Sequence, residues 1–263
     1  MIELREIQLK AVKILETLIK ILDENGLRYY AVYGTLLGAV RHDGFIPWDD
    51  DIDIAMPRPD YERFITIAKD VIIQPYALKE RRLCGDYNFF FAKFVDLSVA
   101  IEASEPDRHI YSNNPHLWVD IFPIDGISSD LSVQQKYLQK VLSQKKWYKY
   151  SILDLAFPRS NVERFIIRIL QLFLNQNKLY DKFKSSVRAF EYDASSFVVL
   201  ASDWTSDYGI YPKVIFGNPI KLPFEGLLLD SPEKYKEYLS LVYGDYLTLP
   251  PVGDRPDHSF HLL

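Results

Sequence analysis

Trp48-Asp49-Asp50-Asp51-Ile52-Asp53-Ile54 places aspartates at every second position from Asp49 to Asp53, with Ile52 and Ile54 set between and after the last two. Successive side chains of a β-strand point to opposite faces. The spacing therefore predicts a strand over 51–56 in which Asp49, Asp51 and Asp53 share one face, Ile52 and Ile54 enter the core, and Asp50 points the other way. Carboxylates crowded on one face repel each other and lose hydration on burial, so such a strand calls for a compensating cation. Oxygen-only ligands suit a hard divalent ion such as Mg²⁺ or Mn²⁺. Two such ions about 3.5–4 Å apart can clamp the attacking and leaving oxygens of a phosphoryl transfer. The plainer readings are a solvated acidic turn or a Ca²⁺ loop that serves only the fold. An EF-hand is excluded, because the glycine and the terminal glutamate are not at the required spacing.

Upstream, Leu27 to Tyr33 reads as a buried strand ending at Gly34, with a short helix from Leu36 to Arg41. A strand that ends in glycine and opens a helix presents free backbone N–H groups, which bind phosphate. Gly34 would let a phosphate approach the backbone, and Thr35 adds a hydroxyl. At the far end of this helix Arg41 suits either a bidentate grip on a donor phosphate or a pairing with the aspartates. His42 suits a donor contact or a loop-ordering hydrogen bond. Lys93, set among Phe91, Ala92, Phe94 and Val95, is either an inward phosphate contact or a solvated edge lysine.

The rest of the chain sets the frame. It has 263 residues, 48% hydrophobic and 25% charged, with a formal net charge of −5. That fits a globular domain and not a nucleic-acid binder. One cysteine, Cys84, excludes an internal disulfide and fits a reducing compartment, and the opening MIELREIQLK has the pattern of neither a signal peptide nor an anchor. Helical periodicity predicts a helix over 4–24, and strands are expected within 89–102 and over 117–124, the last closed by an Asp125-Gly126 turn. A helix is expected from Ser231 to Val242, with Gly244 as its stop. The chain reads as a single α/β unit with a mixed sheet: a core over about 25–128, a helical lobe over about 131–190, and a C-terminal segment over about 200–263 packed back on the core.

The acidic strand joined to Tyr33-Gly34-Thr35 looks like the nucleotidyltransferase pattern, a Gly-Ser/Thr turn followed by two acidic residues separated by one apolar residue. That pattern carries a third carboxylate on a later strand, and Asp120 in Trp118-Val119-Asp120-Ile121-Phe122-Pro123 is its natural candidate. The longer run from Tyr33 to His42 and from Gly44 to Ile54 closely resembles the signature of the LicD family, the bacterial phosphocholine transferases with fukutin and fukutin-related protein. Trp118 to Gly126, and Tyr243-Gly244-Asp245-Tyr246 followed by Pro250-Pro251 and His258, resemble it as well. The resemblance implies a nucleotidyltransferase-like fold and a cytoplasmic enzyme. Its donor would be CDP-choline or another CDP-alcohol, its acceptor a hydroxyl of a glycan, lipid-linked glycan or teichoic acid precursor, and its leaving group CMP. Asp51 and Asp53 map onto the metal-binding pair, Asp49 onto the acidic position before it, and Asp120 onto a metal ligand or general base, with two ions expected once substrate binds. The rivals are a nucleotidyltransferase proper and a non-enzymatic glycan- or metal-binding protein.

Residues 131–190 stand apart, with 12 Lys+Arg against 3 Asp+Glu. An apolar stripe there, Phe165, Ile166, Ile169, Leu170 and Phe173, is expected to pack on the core. The alternative is a basic face including Lys145, Lys146 and Lys149 that touches an anionic membrane.

Overall fold

The computed structural model describes residues 2–85, 87–103, 115–153, 160–203, 209–251, 253, 255 and 260–263. Helix α1 (Ile2–Glu24) buries Ile7, Ala11, Ile14, Leu15, Leu18 and Leu22 against the central sheet, with Val12 and Ile19 half-buried beside them. That sheet contains β1 (Tyr30–Ala31), β2 (Asp53–Pro57), β3 (Tyr76–Lys79), β4 (Ala92–Ala103) and β5 (His116–Ile127). Its spine runs β1-β2-β5-β4-β10, where β10 is Phe260–Leu262. Strand β3 also pairs with β4, while β6 (Phe197–Val199) and β7 (Ile210–Pro212) extend the far end of β5. Strands β2 and β5 run parallel, and the other pairs are antiparallel. The fold is thus the mixed α/β arrangement expected. Strand β5 is buried along almost its whole length, as the centre of a sheet covered on both faces must be.

Helix α2 (Tyr33–His42) and helix α3 (Arg58–Val71) flank β2, and α3 also packs on β5. Helices α4 (Leu131–Ile152), α5 (Asn161–Phe173) and α6 (Gln176–Val187) make the lobe. Asp130 caps α4 by accepting from the Ser132 and Val133 amides. The lobe has its own core, in which Phe90 from the sheet side stands 4.7 Å from Tyr148 and 3.8 Å from Phe183, ring centre to ring centre. Beyond it, β8 (Ile220–Phe224) and β9 (Leu227–Ser231) form a hairpin, and α7 (Tyr235–Tyr243) rests on α2. No helix among the described residues is long and apolar enough to cross a membrane.

Several expectations are corrected. The strand expected over Leu27 to Tyr33 is only Tyr30–Ala31, because helix α2 already begins at Tyr33. The sequence 49–52 precedes β2 and is not itself strand. Asp125 and Gly126 do not turn: they continue β5, paired with Val199 and Val198. Asp125 is buried, and its two oxygens accept from Arg58 at 2.6 and 2.7 Å. Ser231 ends β9 and does not start a helix, because Leu229 and Ser231 alternate inward with strand periodicity. Lys145 is buried in the lobe and belongs to no surface patch. The stripe on α5 does not pack on the core; Ile167, on the other side of that helix, is its buried residue. His258 lies outside the described residues.

Candidate active site

Helix α1 near Gln8, the start of α2, the segment ahead of β2 and strand β5 converge at the leading end of β2. The aspartate segment is held by backbone bonds from every direction. Gln8 donates to the Asp49 carbonyl at 2.8 Å, the Asp49 amide donates to the Ile46 carbonyl, and the Asp53 carbonyl accepts from Val32. The Asp120 amide donates to the Ile52 carbonyl at 2.8 Å, locking β5 beside it. Thr35 is buried, and its hydroxyl oxygen accepts the Asp53 N–H at 2.7 Å. Its first job is therefore to tie the start of α2 to β2.

With the backbone so fixed, Ile52 and Ile54 enter the core, as alternation required. Asp51, Asp53 and Asp120 each bring a carboxylate oxygen to within 4.8 Å of the others. Asp49, Asp50 and Asp51 form a second such group. The latter corrects the expectation for Asp50: the segment ahead of β2 is not extended strand, so the Asp50 carboxylate joins its neighbours. Directly across the β4–β5 ladder from Asp120 sits Lys93. It is 1% exposed and donates to Asp120 Oδ1 at 2.5 Å, with its ammonium 3.8 Å from the Trp118 ring centre. Lys93 is thus neither a solvated lysine nor open to solvent; it neutralises the third carboxylate.

The electrostatics follow from crowding. Burial, then Asp51 and Asp50, push the Asp49 carboxyl up to about 8. Burial, then Asp50, push Asp51 up to about 6, against the pull of Lys93. Burial, then Asp51 and Asp120, hold Asp53 well above the ordinary carboxylate range. Burial pushes Asp120 up to about 6 even though Lys93 opposes it. Burial lowers Lys93, with Asp120 opposing. Metal-free, the cluster prefers to hold protons. An oxygen-only set of this density fits a divalent cation such as Mg²⁺.

Two glycines explain the spacing of the motif. A Cβ on Gly34 would stand 2.5 Å from Asp49 Oδ2, and one on Gly38 would stand 2.4 Å from the Gly44 carbonyl. Gly38 lets the return loop lie against α2, and Gly34 lets the aspartate reach the first turn of that helix. Tyr33, the first residue of α2, has φ 47, a strained value for a side-chain-bearing residue. The loop is clamped from outside by the β8–β9 hairpin. Glu225 in its turn accepts from both Arg5 guanidinium ends and from the Phe45 amide.

The cleft in front of the carboxylates has a volume of about 1010 Å³. Asp49, Asp51, Asp53, Asp120 and Asp203 line it, as do Gly34, Arg41 and a set of aromatic rings: Tyr33, Trp48, Phe91, Phe122, Tyr243 and Tyr246. Pro250 and Pro251 close one rim. Among the described residues Arg41 pairs with no aspartate. It donates to the Tyr246 carbonyl at 3.2 Å and so braces the rim. Burial lowers His42, then Arg41 lowers it further, and its Nε2 is buried with no hydrogen-bond partner among the described residues. Asp203 was not anticipated. It follows the apolar run of β6 as a lone acidic residue with no motif around it.

Comparison with known proteins gives one family profile and several relatives. The profile of the family described as LicD/FKTN/FKRP, nucleotidyltransferase domain, matches residues 26–171, which include the whole carboxylate cluster. The lipopolysaccharide cholinephosphotransferase LicD of Haemophilus influenzae is 28% identical over 97% of this chain and 95% of its own length. An uncharacterized protein of Rickettsia typhi is 36% identical over 36% of this chain and 33% of its own. The ribitol 5-phosphate transferase FKRP of Mus musculus is 32% identical over 39% of this chain and 18% of its own.

Proposed function

The chain belongs to the LicD/FKTN/FKRP family, and from that premise we propose that it moves phosphocholine, or a related phospho-alcohol, from a CDP-activated donor to a hydroxyl of a cell-surface glycan or teichoic acid precursor. The observation that carries this reading is the meeting of Asp51, Asp53 and Asp120, from two strands far apart in sequence, at the floor of one cleft. The relatives support transfer of a phospho-group to a glycan, by their names and by the length of the match to LicD.

Asp51, Asp53 and Asp120, with Asp49 beside them, would hold Mg²⁺ or Mn²⁺. Bound there, such an ion supplies charge neutralisation for the donor diphosphate and for CMP as it leaves. The remaining work falls to the chain. Gly34, at the start of α2, and Arg41 line the cleft, and a helix start and a guanidinium suit the donor phosphates. Lys93 donates to Asp120 Oδ1 and holds this carboxylate beside the other aspartates, where it takes the proton of the acceptor hydroxyl. Burial raises this carboxyl above the ordinary carboxylate range, which makes it a better proton acceptor. The acceptor oxygen bonds to the phosphorus nearer the alcohol, the bond from that phosphorus to the CMP oxygen breaks, and the hydroxyl proton passes to Asp120. The aromatic walls suit a quaternary ammonium, which is attracted to ring faces. We assign the reaction to the cytoplasmic side of the cell, where CDP-alcohols are made.

The test is incubation with CDP-choline, CDP-glycerol or CDP-ribitol and a glycan acceptor, with CMP release and product mass as readouts. Transfer of phosphocholine, with CMP released, is expected. A product carrying the nucleotide itself would replace this reading with nucleotidyl transfer, and no CMP from any donor would end it.

A further inference from the structure

Helix α5 is mounted with its apolar side outward. At 100° per residue, Val162, Phe165, Ile166, Ile169, Leu172 and Phe173 fall on one side of it, and all are exposed, Phe165 at 65%, Leu172 at 81% and Phe173 at 82%. The side turned toward the protein carries the buried Ile167 and Gln171, whose amide donates to the carbonyls of Tyr150 at 3.2 Å and Leu153 at 2.9 Å. The helix is well made in itself: Ser160 and Glu163 close a capping box at its start. A helix of this kind in a globular domain ordinarily buries its stripe, and a contiguous exposed apolar face marks an interaction surface.

Charge selects the partner. Arg168 is exposed at the edge of the stripe, and Arg164 is exposed one turn earlier beyond it. Lys146 and the exposed Trp147 of α4 border a groove with Leu170 of α5, and Lys149 is exposed one turn further on. Glu163, the acidic residue of α5, is engaged by Ser160. The lobe is strongly basic while the chain as a whole has a net charge of −5. A second copy docked face to face would set like charge against like. An anionic bilayer offers hydrocarbon to the stripe and phosphate to its basic border at once. We propose that α5, with the exposed basic face of α4, is an interfacial helix that seats the protein on an anionic lipid surface.

The proposal concerns binding and stands apart from the transferase reading. Its test is flotation of the full chain with vesicles of phosphatidylcholine alone or with about one third phosphatidylglycerol, at low and raised salt. Wild type should float with the anionic vesicles at low salt and be released as salt rises. Phe165→Ser/Ile169→Ser/Phe173→Ser should weaken that binding at least about tenfold, and Arg164→Ser/Arg168→Ser should weaken the preference for anionic lipid. All five side chains are exposed, so an unchanged thermal melt will show both variants folded. Wild type that stays with the free protein, an apolar variant that floats as wild type does, or a lipid-independent dimer abolished by the apolar variant would each overturn the proposal.

Discussion

Asp53 and Asp120 are direct register partners across the parallel β2–β5 pair. Neighbouring strands lie about 4.8 Å apart, so this register alone sets two carboxylates side by side. With Asp51 one alternation away, it makes the cluster.

Proton uptake by that cluster should be visible in stability. The folded state raises the carboxyls of Asp49, Asp51, Asp53 and Asp120, so between the ordinary carboxylate range and about pH 8 it binds more protons than the unfolded chain. Stability of metal-free protein should therefore fall as pH rises through this window. Mg²⁺ should flatten the slope, and Asp53→Asn should raise the metal-free melting temperature while abolishing turnover. Thermal melts across pH, with chelator and with Mg²⁺, check this; a metal-free profile that is flat from pH 4 to 8 refutes it.

Lys93 and Asp120 form a buried pair, so removing one partner leaves the other uncompensated. Lys93→Met should cost about 3–5 kcal/mol of stability. Lys93→Met/Asp120→Asn should recover much of that loss in denaturant titrations without recovering activity. Equal stability of the single and double variants would mean that the pair is not coupled.

Gly34→Ala should separate fold from function. Alanine favours a helix by about 1 kcal/mol over glycine, so stability should hold or rise slightly. Its methyl group would displace Asp49 from the first turn of α2, and turnover should drop by about two orders of magnitude, as small misplacements at a site do. Unchanged donor turnover would show that the close approach of Asp49 to α2 is dispensable.

Burial holds Lys145 down to about 7, with Asp203 opposing. The folded state then binds fewer protons than the unfolded chain between pH 7 and the ordinary lysine value, and stability should rise with pH across that interval. The slope is bounded by about 1.4 kcal/mol per pH unit. Lys145→Met should remove this slope and stabilise the protein at neutral pH. A difference in stability between wild type and Lys145→Met that does not change with pH above 7 would contradict it.

The motif residues were legible because their signals are local. Alternation of apolar with acidic residues located Ile52 and Ile54 in the core, and helical period located α1 almost to the residue. Gly244 as the stop of α7 was equally plain, and it has φ 67 in the structure. What escaped depends on partners distant in the chain. Asp125 resembles a turn residue until Arg58 and the β6 ladder are placed beside it. The role of Lys93 is fixed by the residue opposite it on β5. Asp203 joins the cleft only because β6 pairs with the end of β5. The orientation of α5 could not be read from its own period, since periodicity gives a stripe but not which side meets the protein.

The parallel β2–β5 pair has a consequence for how the chain reaches this structure. Helix α3 and strands β3 and β4 all lie between the two strands in sequence, so Asp53 meets Asp120 only after a long loop closes. In the unfolded chain the two charges are far apart. Their repulsion appears as the sheet zips up and opposes that step, whereas α1 and α4 form from neighbouring residues without it. Refolding speed should thus respond to divalent cations and to acidity, making the ion that suits the finished cleft a chaperone of its assembly as well.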